Sequence, residues 1–238
     1  MLELKSEDRE KFCQRLFSDI ACRYDFLNTV LSLNQDKYWR RFTVAKTGLK
    51  VGERGLDVCC GTGRICIEQA KIVGVTGSVI GLDFCHDMLN IAERDIQHTQ
   101  FNNTIKLVEG NAMELPFPDD TFDCATIGFG LRNVSNIKIA LTEMRRVIRP
   151  GGRVVSLDLA KPGIIGFKEL YKIYLERVIP LLGRLGVGKD APYRWLPESL
   201  KQFPHQVELC AMFGSVGLKE PTYYELTGGI VAVHVGIK

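Results

Sequence analysis

Residues 56–64 read Leu56-Asp57-Val58-Cys59-Cys60-Gly61-Thr62-Gly63-Arg64, and the chain echoes this stretch further on in Ile80-Gly81-Leu82-Asp83. A short apolar run containing an acidic residue, a turn of small residues, and then Ile65-Cys66-Ile67-Glu68-Gln69-Ala70 at helical spacing reads as strand, tight loop, helix. The glycines let the backbone approach a ligand with no Cβ in the way. A carboxylate closing the second strand can accept both hydroxyl hydrogens of a ribose. A nucleotide-like ligand is therefore expected here.

Two cofactor classes use this grammar. A dinucleotide loop would run Gly-x-Gly-x-x-Gly with a pyrophosphate at the helix N-terminus. Here the positions are Gly61-Thr62-Gly63-Arg64-Ile65-Cys66, so the third glycine is missing. The pattern from Asp57 to Gly63 fits instead the S-adenosylmethionine (SAM) loop of class I methyltransferases, where Asp57 would anchor the loop near the ligand's charged amino-acid end.

Outward from this loop, strand and helix patterns alternate: 56–60, 65–73, 78–83, 86–96, 105–108, 122–127, 137–148 and 153–159. Alternation at this spacing predicts a parallel sheet with right-handed crossovers and helices on both faces. Ligands bind beyond the carboxyl ends of such strands. The loop after Cys60, Asp83, Asn111-Ala112 and the segment Gly128 to Asn133 are thus expected to meet in one cleft. Arg149-Pro150-Gly151-Gly152 reads as the turn that ends a helix and launches the fifth strand.

Before the first strand, Phe12, Leu16, Phe17, Ile20, Tyr24, Leu27, Val30 and Leu31 recur at helical spacing, with a break expected near Tyr24-Asp25. A second helix runs through Tyr38-Trp39-Arg40-Arg41-Phe42. After Lys161-Pro162-Gly163 the alternation stops, and residues 167–182 form an unusually apolar helical insertion ended by Pro180. A helix over 206–214 leads to a hairpin of Thr222–Leu226 and Ile230–Ile237, joined by Thr227-Gly228-Gly229. The expected fold is α/β and Rossmann-like. It has a seven-stranded sheet whose last hairpin supplies an antiparallel strand. Residues 1–50 form an N-terminal helical cap, 51–160 the SAM-binding core, 161–205 a helical insertion and 206–238 the C-terminal helix and hairpin, all within one domain.

The totals narrow the function. The chain has 238 residues, enough for one α/β domain with elaborations. Thirty-one Lys plus Arg against 28 Asp plus Glu leave a net charge of +3, too weak a bias for nucleic-acid binding. Eight cysteines, without paired C-x-x-C sets and several within apolar patterns, argue for reduced core thiols in a cytoplasmic protein rather than a metal site or disulfide framework. Residues 1–11 are charged with no apolar signal core behind them, and no apolar stretch is long enough to span a bilayer.

The segments Asn111-Ala112-Met113-Glu114-Leu115-Pro116-Phe117, Phe122-Asp123, Phe129-Gly130-Leu131-Arg132-Asn133-Val134 and Arg149-Pro150-Gly151-Gly152 follow in order. With Arg23-Tyr24-Asp25-Phe26-Leu27-Asn28 before them and Gly228-Gly229-Ile230-Val231-Ala232-Val233-His234 after, the chain resembles the quinone-biosynthesis C-methyltransferases of the UbiE/MenG group over nearly its whole length. The resemblance implies SAM as co-substrate, no metal, and methyl transfer to a ring carbon of a reduced polyprenyl quinone. Gly128 is more similar to the menaquinone branch, since many ubiquinone-branch relatives carry serine there, so demethylmenaquinol is the expected acceptor. Benzoquinol methylation, dual specificity and a SAM-binding protein without turnover are the alternatives. Arg64 departs from the family, in which many members have aspartate.

The resemblance further implies a cofactor site of Asp57, Gly61, Thr62, Gly63, Asp83, Asn111, Ala112 and Gly128. The alternatives are that Thr62 and Asp83 cap helices and that Asn111 is a turn residue. Arg132 is the first candidate for catalysis: always charged, it can stabilise a phenolate and orient a water that takes the proton. The alternative is a structural pair with a carboxylate at the sheet edge. His234 is matched to proton transfer near neutral pH but also suits an apolar strand as a core residue. Asn133, Tyr193, Tyr24 and Asp25 are further candidates for substrate contacts. Lys168, Lys172, Arg177 and Arg184 in and beside the insertion, with Lys161, Lys189 and Arg194, outnumber Glu169, Glu176 and Asp190. This mixture suggests peripheral contact with the inner face of a membrane or with a polyprenyl tail, against the alternatives of a buried cap helix or a homo-oligomer interface.

Overall fold

In the computed structural model the described residues are 6–163, 171, 174 and 191–238. Their strands are β1 (Arg54–Val58), β2 (Ser78–Asp83), β3 (Ile105–Glu109), β4 (Phe122–Gly128), β5 (Ile148–Leu159), β6 (Lys219–Leu226) and β7 (Val231–Ile237). They form one seven-stranded sheet in the order β3-β2-β1-β4-β5-β7-β6. The first five are mutually parallel, while β7 runs antiparallel between β5 and β6. In β1, β2 and β4 most residues are buried, as expected of parallel strands covered on both faces. The order reverses between β1 and β4, so the carboxyl ends of these strands open the crevice into which the loop after β1 projects.

Helices α1 (Ser6–Ile20), α2 (Tyr24–Leu31) and α3 (Asp36–Lys46) precede the sheet. The first break falls at Ala21–Arg23, a 3-10 turn slightly before the expected Tyr24-Asp25. Helices α4 (Arg64–Val73), α5 (His86–Gln97) and α6 (Ile137–Val147) are the crossovers, and α7 (Ala191–Gln202) and α8 (Gln206–Ser215) lead to the final strands. α6 starts where the Asn136 side chain accepts from the Ile139 N–H. α8 starts with a capping box, Glu208 accepting from the His205 N–H.

Two apolar layers result. Leu56, Leu82 and Ile127 face Leu141 and Met144 of α6 and Phe213 of α8. On the opposite face, Val79 and Cys124 meet Cys66 and Ala70 of α4 and Ala92 of α5, and Val155, Leu157 and Val233 meet Trp39 of α3. The Arg149-Pro150-Gly151-Gly152 turn lies inside β5 rather than before it: pairing with β4 begins at Phe122–Ile148, is interrupted, and resumes at Cys124–Arg153. Gly152 is required there, because a Cβ would stand 2.7 Å from the Asp123 carbonyl oxygen. The expected insertion over 167–182 lies outside the described residues except for Tyr171 and Tyr174, which join a cluster with Leu27, Leu31 and Leu200.

Candidate active site

Two cavities meet at the carboxyl ends of the strands. The first, of about 660 Å³, is lined by Gly61, Asp83, Asn111, Ala112, Gly128, Asn133, Phe84 and Met88, with Phe17 and Tyr24 closing it from α1 and α2. Asp83, ending β2, accepts from the Gly61 N–H through Oδ2 (2.8 Å) and from the Cys85 N–H through Oδ1 (2.9 Å). The carboxylate thus ties the loop after β1 to the start of α5 while keeping lone pairs for a ligand. Burial pushes it up to about 6 despite these bonds. Asn111 turns back to accept from the Met113 N–H at 2.9 Å, so its turn role and its place in the cavity wall coexist.

Room for a nucleoside-sized ligand shows at Gly61, whereas Gly128 is fixed by packing within the fold. Gly61 has φ +54° and nothing within 4 Å of where a Cβ would project, so side-chain space is left open beside the cavity. At the other end, a Cβ on Gly128 would collide with Ile65, so the strand must end in glycine for α4 to pack close.

Three of the expected cofactor residues lie beneath or beside the cavity and do not line it. Asp57 is buried under the loop, where Oδ1 accepts from Thr126 Oγ1 at 2.6 Å and Oδ2 from the Cys66 thiol at 3.5 Å. Burial raises its carboxyl to about 7, those two bonds acting in the opposite sense. Thr62 is no helix cap: its hydroxyl donates to Asp25 Oδ1 at 2.9 Å. Gly63 begins α4 with φ +74°. Asp25, expected to touch substrate, is spent on this loop, accepting also from Arg64 Nε at 2.8 Å. Arg64 reaches on to Asp95 at 2.7 Å and so clasps α2 to α4 and α5.

The second cavity, of about 960 Å³, lies behind the first and shares Phe17, Tyr24 and Phe129 with it. Its wall is largely apolar, from Leu16, Ile20, Leu27, Leu31, Trp39, Leu159, Leu196 and Ile230, with Arg132 and Asp36 as its charged members. Arg132 is buried. Its Nη1 donates to Asp158 Oδ1 (2.7 Å) and to the Phe129 carbonyl (2.7 Å), while Asp158 Oδ2 accepts from the Arg132 N–H (3.1 Å). Burial opposes the charge, but the Asp158 carboxylate holds the guanidinium protonated. Arg132 Nε has no hydrogen-bond partner among the described residues. The structural pair and the place in the cavity wall are thus both real. Asp158, absent from the expected set, is the residue that fixes Arg132. Its only signal in the sequence is a carboxylate closing an apolar strand.

Asn133 lines the first cavity with both ends of its amide engaged: Nδ2 donates to the Phe129 carbonyl (3.2 Å), and Oδ1 accepts from Trp195 Nε1 (2.9 Å). Tyr24 borders both cavities, its phenol raised by burial, with Arg132 and Asn28 acting the other way. The Tyr193 side chain is outside the described residues.

His234 is not part of this site. It pairs with Ser156 in the middle of β7 and β5 and faces α8, not the cleft. Nε2 bonds the Gln206 backbone oxygen at 2.9 Å, and the ring stacks on Tyr223 and packs against Phe213. Burial lowers it to about 4, so it stays neutral near pH 7. The expectation of a catalytic imidazole is corrected: strand alternation turns position 234 toward the helix, whereas Val233 and Val235 face Trp39.

An open parallel sheet with an acidic β2 end, a glycine loop and a final antiparallel strand defines the class I SAM-dependent methyltransferase fold. Solved structures agree: a SAM-dependent methyltransferase from Aquifex aeolicus matches with TM-score 0.62 and 20% identity over 83% of this chain and 88% of that one. A possible histamine N-methyltransferase from Thermotoga maritima matches with TM-score 0.66 and 18% identity over 94% and 98%. The chain belongs to the ubiE/COQ5 methyltransferase family, whose pattern it matches over residues 3–238. Among its relatives are proteins named demethylmenaquinone methyltransferase. That of Bacillus licheniformis is 46% identical over 98% of this chain and 99% of its own length. That of Desulfitobacterium hafniense is 41% identical over 100% and 94%, and that of Bacillus subtilis 43% identical over 98% and 99%.

Proposed function

We infer that this methyltransferase converts demethylmenaquinol to menaquinol, acting as one domain capped by residues 1–50 and 161–205. The observation that carries the reading is the meeting of an Asp83-ended cavity with a second, largely apolar one whose wall holds a buried, Asp158-anchored arginine. The relatives named demethylmenaquinone methyltransferase support the naphthoquinol ring over the benzoquinol ring.

SAM, when bound, supplies an electrophilic methyl group on sulfur. Asp83 would accept the ribose hydroxyls, Asn111 and Ala112 would flank the adenine, and Gly61 would leave room for the ligand, while Gly128 lets α4 pack against the strand end. Ring carbon is a weak nucleophile until a ring hydroxyl is deprotonated. Arg132 stabilises the resulting phenolate and orients the water that removes the proton. Its guanidinium is too basic to be that base itself. The apolar wall excludes bulk water and strengthens this charge interaction. Asp57, Thr62 and Gly63 act from below, shaping the loop.

The test is mass spectrometry of reduced demethylmenaquinone and of a demethylated benzoquinol precursor, each incubated with protein and SAM. Methylation of the naphthoquinol alone is expected. Methylation of the benzoquinol alone overturns the choice of acceptor, and methylation of neither, with SAM bound and the rings reduced, overturns turnover. Arg132→Lys, which keeps a charge for Asp158, is expected to lower kcat at least tenfold with SAM affinity within about twofold. Loss of SAM binding would instead make Arg132 a purely structural residue.

A further inference from the structure

α2 is apolar on both sides. Leu27 and Leu31 face the second cavity, as does Tyr24. On the other side, Phe26 and Val30 are exposed, and Leu33 continues that stripe at the corner before α3. Phe26 is 66% and Leu33 82% exposed, and Tyr38 at the start of α3 is exposed beside them. A surface helix ordinarily turns polar residues to solvent. Four large apolar side chains exposed across one helix, its corner and the start of the next helix mark an interaction surface rather than scattered exceptions.

Two further observations name the occupant. Leu33 has φ +51° and Asn34 φ +66°. A leucine in this region is strained, and its side chain is left largely in solvent. The charges are sorted as well. Asp36 is buried in a pair with Arg40, and Asp25 is bound to Thr62 and Arg64. Lys37 and Arg41 are exposed. Carboxylates turned inward, cations outward, and an apolar stripe between them match an anionic bilayer surface, with ammonium and guanidinium at headgroup level and Phe26, Val30 and Leu33 below it.

We propose that the outer face of α2 and its corner, Phe26, Val30, Leu33 and Tyr38 with Lys37 and Arg41, seats the protein on an anionic lipid bilayer. A lipid-tailed acceptor then passes from the membrane to the cavity that the same helix walls. This rests on the reading of the acceptor as a polyprenyl quinol.

The experiment is co-sedimentation of the full chain with phosphatidylcholine vesicles, with and without phosphatidylglycerol. It is paired with methylation assays on a short-tailed, water-soluble demethylnaphthoquinol and on a long-tailed one embedded in the vesicles. The wild-type chain is expected to pellet with the anionic vesicles, and less as salt rises. Phe26→Ser combined with Leu33→Asn is expected to reduce partitioning at least tenfold. Asparagine tolerates the corner conformation, so the fold is kept. Turnover of the soluble acceptor should stay within twofold while turnover of the embedded one falls with partitioning. Lys37→Gln with Arg41→Gln should remove the preference for phosphatidylglycerol. Failure of the wild type to pellet, or equal pelleting of the double variant, overturns the proposal. So does a wild-type dimer that the apolar substitutions dissociate without changing vesicle binding, since the stripe then belongs to a second copy. If neither acceptor is methylated, the reading of function fails while sedimentation still reads the surface.

Discussion

Asp83 and Asp57 are both buried carboxyls raised above the ordinary range, yet they have opposite consequences. Asp83 faces the cofactor cavity and must be ionised to accept hydroxyl hydrogens. Protons therefore compete with SAM, and affinity should hold above pH about 6 and fall below it. Asp83→Ala should weaken SAM binding at least tenfold and flatten that profile. Unchanged calorimetric affinity would remove Asp83 from the site. Asp57 touches no cavity, so its cost falls on the fold. Between its ordinary 3.8 and about 7, the folded chain keeps a proton that the unfolded chain has released. Its contribution is therefore most favourable below 3.8, is lost as pH rises toward about 7, and is constant above, a difference of at most about 4 kcal/mol. Asp57→Asn, which still accepts from Thr126, should raise Tm at about pH 8, and the gain should shrink toward about pH 4. An equal gain at both ends would show that charge burial is not the cause. Neither shift is visible in the sequence. What could be read there was the pattern from Asp57 to Gly63 and the acidic end of Asp83. The two share a face of the sheet, since Asp57 pairs with Gly81, two residues before Asp83; that one lies under the loop and the other beside the cavity depends on how far along its strand each stands.

The elements around the site are held by contacts far apart in the chain. Arg9 of α1 donates to the Arg132 carbonyl at 2.7 Å and lies over the Trp195 ring, 5.6 Å from its centroid. Trp195 of α7 in turn holds the Asn133 amide at the boundary between the cavities. Trp195→Phe keeps the aromatic volume and deletes the donor. It should raise the acceptor KM several-fold with SAM affinity within about twofold, because Asn133 loses its orientation while Asp83 does not. Equal losses in both would mean that α7 merely packs. Helical periodicity located α1, the strand order placed the segment 131–133 at the cleft, and α7 was not read as a helix of its own. Nothing local in them says that they meet, which is why Asp158 and Trp195 were not legible while Arg132 was. His234 illustrates the same gap: alternation assigns it to a face of β7, but only the placement of α8 shows that face to be closed.

For the molecule as a whole, the alternating pattern was sufficient for the parallel sheet, and the final hairpin for its antiparallel strand, because crossover rules leave few ways to wind such a chain. The arrangement of α1 to α3 was not, since amphipathic spacing shows that a face is buried but not against what. Here it is the lid of both cavities: Glu10, Phe17 and Tyr24 line the first, and Leu16, Leu27 and Trp39 the second. Filling the first cavity should therefore tighten elements distant in sequence from the glycine loop. At a hundredfold excess over its Kd, SAM should add about 2.7 kcal/mol of stability. Amide hydrogen exchange should slow in α1 and α2 as well as around Gly61. Protection confined to the glycine loop would show that these helices do not close on the cofactor.

The chain has two tryptophans, Trp39 and Trp195, and both stand in the wall of the second cavity. Every indole in the protein is thus within reach of whatever enters there and none reports on elsewhere. A naphthalene ring with its own near-ultraviolet absorption draws off their emission by energy transfer, so the unlabelled protein carries a built-in optical gauge of acceptor occupancy.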